Sequence, residues 1–79
     1  MTIADLNVGD IAQIVACKET EIPLKLMEMG CLPEQKLKIL QLAVANGPIY
    51  FEVNGSFIAI RKETAAQIQV AHLEQAHNG

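Results

Sequence analysis

The stretch Ile49-Tyr50-Phe51-Glu52-Val53-Asn54-Gly55-Ser56-Phe57-Ile58-Ala59-Ile60-Arg61 decides the class of fold. Two apolar, β-rich segments flank Asn54-Gly55, and both turn residues tolerate the positive φ that a type I′ turn demands. The reading is a tight antiparallel hairpin with strands over Ile49–Val53 and Ser56–Arg61. Working upstream, Asn46-Gly47-Pro48 breaks the chain before the hairpin. Before that break lies an apolar segment from Lys36 to Val44, in which Leu37 and Ile39 alternate with Lys36 and Lys38 as in a half-buried strand. Ile11–Cys17 (IAQIVAC) is rich in β-branched residues and reads as a further strand, although its alternation is imperfect. The segment from Thr2 leads up to it and ends in a Gly9-Asp10 turn. Downstream of the hairpin, Lys62 to Gln67 suits one helical turn and Ile68-Gln69-Val70 a short last strand.

Between the first two strands the pattern changes. Lys18 to Glu21 is polar and reads as a loop, and Leu24, Met27 and Cys31 then fall at helical spacing. Pro23 suits the first helical position and Gly30 a left-handed stop, so one short helix is expected from Pro23 to Gly30. Pro33 in the turn Leu32-Pro33-Glu34-Gln35 fixes φ and ends it. Five short strands and one short helix in 79 residues predict an all-β, partly closed antiparallel barrel, because an open sheet this small would expose its edges. Periodicity alone leaves SH3-like and OB-like barrels both open. The barrel is expected over 1–71, and the polar residues 72–79 read as a flexible tail.

Composition excludes several function classes. The chain is 51% hydrophobic, which suits one packed core and argues against disorder. Its net charge is −3 and its six basic residues are scattered, so neither a nucleic-acid surface nor a polybasic membrane anchor is supported. No apolar run approaches a membrane span or a signal-peptide core. Two cysteines far apart, Cys17 and Cys31, suit free thiols in the cytoplasm better than a disulfide scaffold.

Taken together, Leu6-Asn7-Val8-Gly9, Leu26-Met27-Glu28-Met29-Gly30-Cys31-Leu32-Pro33, Asn46-Gly47-Pro48-Ile49, Val53-Asn54-Gly55 with Ile58-Ala59-Ile60-Arg61, and Ala65-Ala66-Gln67-Ile68-Gln69-Val70 resemble the ferrous iron transport protein A (FeoA) family. The order and spacing of these pieces, from about Leu6 to Val70, carry the resemblance; no single piece does. Glu34 departs from the pattern, standing where the family has glycine, which predicts a turn that avoids positive φ there. Cys31 between Gly30 and Leu32, and the direct Gly47-Pro48 junction, are further local departures. The resemblance implies an SH3-like barrel and a small cytoplasmic partner of FeoB, the membrane protein that carries ferrous iron and bears a GTPase domain. Fold alone would not license that function.

The residues themselves offer little chemistry. With one serine and both histidines, His72 and His77, in the expected tail, no nucleophile, base and orienting acid assemble, so no catalytic residues are expected. Cys17, Cys31, His72 and His77 are metal-ligand types without metal-ligand spacing, so no metal site or cofactor is expected; a metal-responsive domain using them is the alternative. Arg61 could stabilise phosphoryl transfer in trans, but the reading preferred is that it caps carbonyls or pairs with Glu63. A polyproline groove is disfavoured, since Tyr50 and Phe51 point to opposite faces and only one can join Phe57. The helix is a better interaction surface. Leu24, Leu26, Met27 and Met29 are many for one core stripe, and Lys25 and Glu28 would rim such a patch. These six residues are the expected partner-binding surface for an FeoB-type transporter, against the reading that all four apolar residues are buried. A third reading is the SH3-like module of iron-dependent repressors; the lack of a helix-turn-helix segment and a chain from Met1 to a polar tail favour a free-standing protein instead.

Overall fold

The computed structural model describes residues 1–17, 24–42, 45 and 47–74. It contains a 3-10 turn (Ile3–Asp5), β1 (Ile11–Cys17), α1 (Leu24–Glu28), β2 (Lys36–Leu42), β3 (Ile49–Val53), β4 (Ser56–Ile60), α2 (Lys62–Ala65) and β5 (Ile68–Glu74). The strands form one antiparallel sheet in the order β4-β3-β2-β1-β5. It curls around a core that includes Ile14, Leu37, Ile39, Phe51, Ile58 and Ile68, but β4 and β5 do not pair, so the barrel is only partly closed.

The hairpin forms as its turn dictates. Asn54 and Gly55 have φ of 51° and 78°, the type I′ signature, and Val53 pairs with Ser56 across them. Alternation then buries Ile49, Phe51 and Val53 on β3 and Ile58 and Ile60 on β4. Phe51 is wholly enclosed, a burial that contributes about 1.5–3 kcal/mol.

The imperfect alternation of the first strand has a structural cause. The register of β1 against β5 slips between Ile14 and Ala16, so Val15 is an extra residue and is exposed, while Ala12 and Ile14 face the core. Leu40 is likewise inserted between Ile39 and Gln41 of β2, and the burial pattern of that strand breaks there. Such bulges increase local bend and twist, which a small sheet needs in order to curl.

Three expectations are corrected. Glu34 does not avoid the left-handed region but has φ of 75°, because its N–H must turn to donate to the Ile14 carbonyl at 2.7 Å. The last strand runs past Val70 to Glu74, pairing Ala12 with His72 and Ile11 with Glu74. His72 is therefore a half-buried strand residue rather than a solvated one, with Nε2 at 3.2 Å from Oδ2 of Asp10 in a contact not aligned as a hydrogen bond. Asp10 is 2% exposed, and its Oδ2 accepts from the backbone N–H of Asn7 at 2.7 Å. The approach segment also has structure of its own: Ile3 is buried, Asp5 Oδ2 accepts from Thr2 N–H at 2.8 Å, and Thr2 bridges to Gln69.

The expected positions of Pro23, the loop 18–21, the end of the second strand at 43–44, Asn46 and the tail beyond 74 lie outside the described residues. Among the described residues no helix is long and apolar enough to cross a membrane.

Candidate functional site

Helix α1 is short, and the turn at its C-terminal end fixes where it sits. The N–H groups of Met29 and Gly30 donate back to Leu26 and Met27, and Cys31 N–H donates to Leu26 at 3.0 Å, closing the helix tightly. Gly30 has φ of 101°, and a Cβ added to it would stand 2.7 Å from the Cβ of Asn54. Its backbone therefore packs directly on the β3–β4 turn, an approach only glycine permits. That contact holds α1 beside β4.

Between α1, β4 and the start of α2 runs a groove of about 550 Å³. Leu26, Met29, Ile58 and Ile60 give it apolar walls, and Lys25 and Arg61 bring the charge. Among the described residues no carboxylate lines it, although the chain carries nine acidic residues against six basic ones. Neither Lys25 nor Arg61 is in an ion pair among the described residues; both are exposed. Arg61 stands at the N-cap of α2 without a side-chain capping bond and without an ion pair to Glu63, so neither expected structural role is realised. On the other side of β4 a smaller hollow of about 400 Å³ is walled by Leu40, Tyr50, Phe57 and Ala59. Phe57 is 70% exposed, the most open of the large apolar side chains described, whereas Phe51 points into the core. Tyr50 is thus the aromatic neighbour on Phe57's side of the sheet.

The six helical residues expected to meet a partner divide by burial. Leu24 is 68% exposed, Lys25 and Glu28 are exposed, Met27 and Met29 are half-buried against the core, and Leu26 is buried. Lys25, Leu26 and Met29 line the groove. Phe57, Ala59 and Arg61 complete it and were absent from that expected surface. A signal for Phe57 was available, since with Ile58 and Ile60 turned inward, strand alternation turns Phe57 outward. Of the metal-ligand types, Cys31 is fully buried and His72 lies beside Asp10; the side chain of Cys17 and all of His77 lie outside the described residues. Among the described residues, no three His, Cys, Asp or Glu side chains converge as a metal site.

Known proteins share this architecture. The family model of the FeoA domain matches residues 1–72. Over 71 residues the chain is 30% identical to the Fe(2+) transport protein A/Fe(2+) transporter FeoB fusion protein of Porphyromonas gingivalis, a match that takes in 89% of this chain but spans only 8% of the fusion's length. Among solved structures, the FeoA protein of Chlorobium tepidum superposes with a TM-score of 0.84 at 29% identity, covering 99% of this chain and 75% of its own. The zinc-complexed FeoA of Stenotrophomonas maltophilia, a prokaryotic SH3 domain protein, matches with a TM-score of 0.76 at 18% identity, covering 90% of this chain and 89% of its own. At that identity the likeness is one of fold, and the fold is SH3-like.

Proposed function

This chain belongs to the FeoA domain family, a family of ferrous iron transport, and from that premise we propose that it is a non-enzymatic, cytoplasmic accessory protein that binds an FeoB-type transporter and modulates it. One observation carries the reading: in the P. gingivalis relative an FeoA portion and an Fe(2+) transporter FeoB are one polypeptide. A covalent link replaces a bimolecular encounter by a local one, which is useful only where the two parts act on each other. For a separate chain the same encounter needs an interaction surface. The exposed part of α1, with Leu24, Lys25 and Glu28 outermost and Met27 half-exposed, is the surface proposed, Met supplying adaptable apolar contact.

The test is binding of the full chain to FeoB of the same organism, held in lipid nanodiscs, together with ferrous iron uptake by cells lacking the chain. Binding is expected, with reduced uptake restored by the wild-type chain and not by Met27→Glu of unchanged melting temperature. No binding in any nucleotide state, with normal uptake in the deletion strain, would end the transporter reading.

A further inference from the structure

The groove runs along the edge of a strand rather than across a face. Phe57, Ile58, Ala59, Ile60 and Arg61 all line it, and consecutive residues of a strand alternate between faces, so only the strand's backbone edge is common to them. β4 is last in the sheet order and pairs only with β3 among the described strands. Across a two-residue turn, Val53 and Ser56 form a hydrogen-bonded pair, and pairs alternate from there. With Phe51 opposite Ile58 and Ile49 opposite Ile60, the odd positions Phe57 and Ala59 send their N–H and C=O groups away from β3. No other element among the described residues bonds to them.

We propose that this edge takes an added strand: an extended segment of a partner protein, about five residues long to match β4, in which apolar side chains alternate with acidic ones. The backbone of Phe57 and Ala59 would supply the ladder. The apolar residues of the incoming strand all fall on one face of it and would find cover inside, against Leu26, Met29 and Ile60, while its acidic residues fall on the outer face, where Phe57 can pack on their methylene stems. Carboxylates would meet Lys25 and Arg61, the cations of a groove in which no described carboxylate stands, in a chain of net charge −3. This deepens the transporter reading and rests on it only for which protein carries the segment.

The experiment uses the full chain, isotope-labelled, with a capped heptapeptide alternating Val and Glu and a second alternating Val and Lys. Amide exchange at Phe57 and Ala59 should slow at least about fivefold on saturation with the acidic peptide, and the basic one should bind about tenfold more weakly. Ala59→Pro removes an outward donor without touching the β3 ladder, a substitution edge strands tolerate, and should abolish the protection. Arg61→Glu, at an exposed side chain, should reverse the preference between peptides. Groove resonances that shift while the Phe57 and Ala59 amides exchange unchanged, equal affinity for both peptides, or no binding at millimolar peptide would each overturn the proposal. FeoB captured equally by wild type and Ala59→Pro overturns strand addition and leaves the transporter reading standing. FeoB captured by neither, with the acidic peptide still protecting both amides, does the reverse.

Discussion

The two edges of this sheet are treated in opposite ways. At β5 the N-terminal segment closes the edge: Thr2 bridges to Gln69, the N–H of Val70 donates to the Met1 carbonyl at 3.0 Å, and Ile3 is buried beneath. At β4 no strand of the described residues adds, and the groove beside that edge carries an exposed phenylalanine and two cations that no described carboxylate pairs. Small sheets normally blunt both edges, because an open ladder templates association. Here the first residues cover one edge, while no described residue bonds to the outward groups of the other. The closed edge serves the fold, and the other is the one proposed above to take a partner's strand.

Breaking the closed edge should have the largest effect. Ile3→Ala empties a fully buried site and should cost about 2–4 kcal/mol, read as a lower urea midpoint with unchanged slope. Amides of β5 should lose exchange protection while those of β3 keep theirs. A loss under about 1 kcal/mol would show that the 3-10 turn covers the edge without holding it.

On the open side the supporting contact is Gly30 against the hairpin turn. Gly30→Ala meets both a backbone φ of 101° and a Cβ approach of 2.7 Å to Asn54. A loss of about 2 kcal/mol is expected, lowering Tm by roughly 10 °C. Because α1 forms one wall of the groove, the chemical-shift changes should concentrate on Leu26, Met29 and β4 rather than on β5. Changes spread evenly over both edges would erase the distinction between them.

What the sequence made legible tracks the range of the forces involved. The hairpin, the glycine stop of α1 and the buried faces of Leu37 and Ile39 are dictated by neighbours within a few residues, and each stands where its pattern placed it. The bulges at Val15 and Leu40, the seating of Ile3 and the extension of β5 through His72 depend on partners distant in sequence, and the imperfect alternation of Ile11–Cys17 is the one local trace any of them leaves. The groove was half legible. Surplus apolar residues on a short helix pointed to α1, but which strand ends the sheet is a matter of topology, so Phe57 and Arg61 were not joined to it. Glu34 shows the converse case, where a local rule is overridden: its φ of 75° is imposed by the bond from its N–H to Ile14 of β1. Glu34→Gly should accordingly stabilise the closed side by about 0.5–1 kcal/mol, visible as a higher urea midpoint. A loss of stability would mean that the Glu34 side chain contributes more than its strained backbone costs.

The smallest effect on stability is expected at a residue of the proposed recognition edge. Phe57 lies opposite Glu52 with its ring in solvent, so Phe57→Ser removes no core contact and should leave stability within about 0.5 kcal/mol of wild type. Serine is a poorer strand former than phenylalanine, which accounts for most of any small loss. Yet the ring is the surface on which the methylene stems of the peptide's outward glutamates would pack, and its removal should weaken binding of the Val/Glu peptide several-fold while leaving Ile3 and β5 untouched. Unfolding and titration on the same sample separate the two outcomes. Were Phe57→Ser to destabilise the chain by more than about 1 kcal/mol, the exposed ring would be supporting the barrel, and the open edge could no longer be set apart from the closed one.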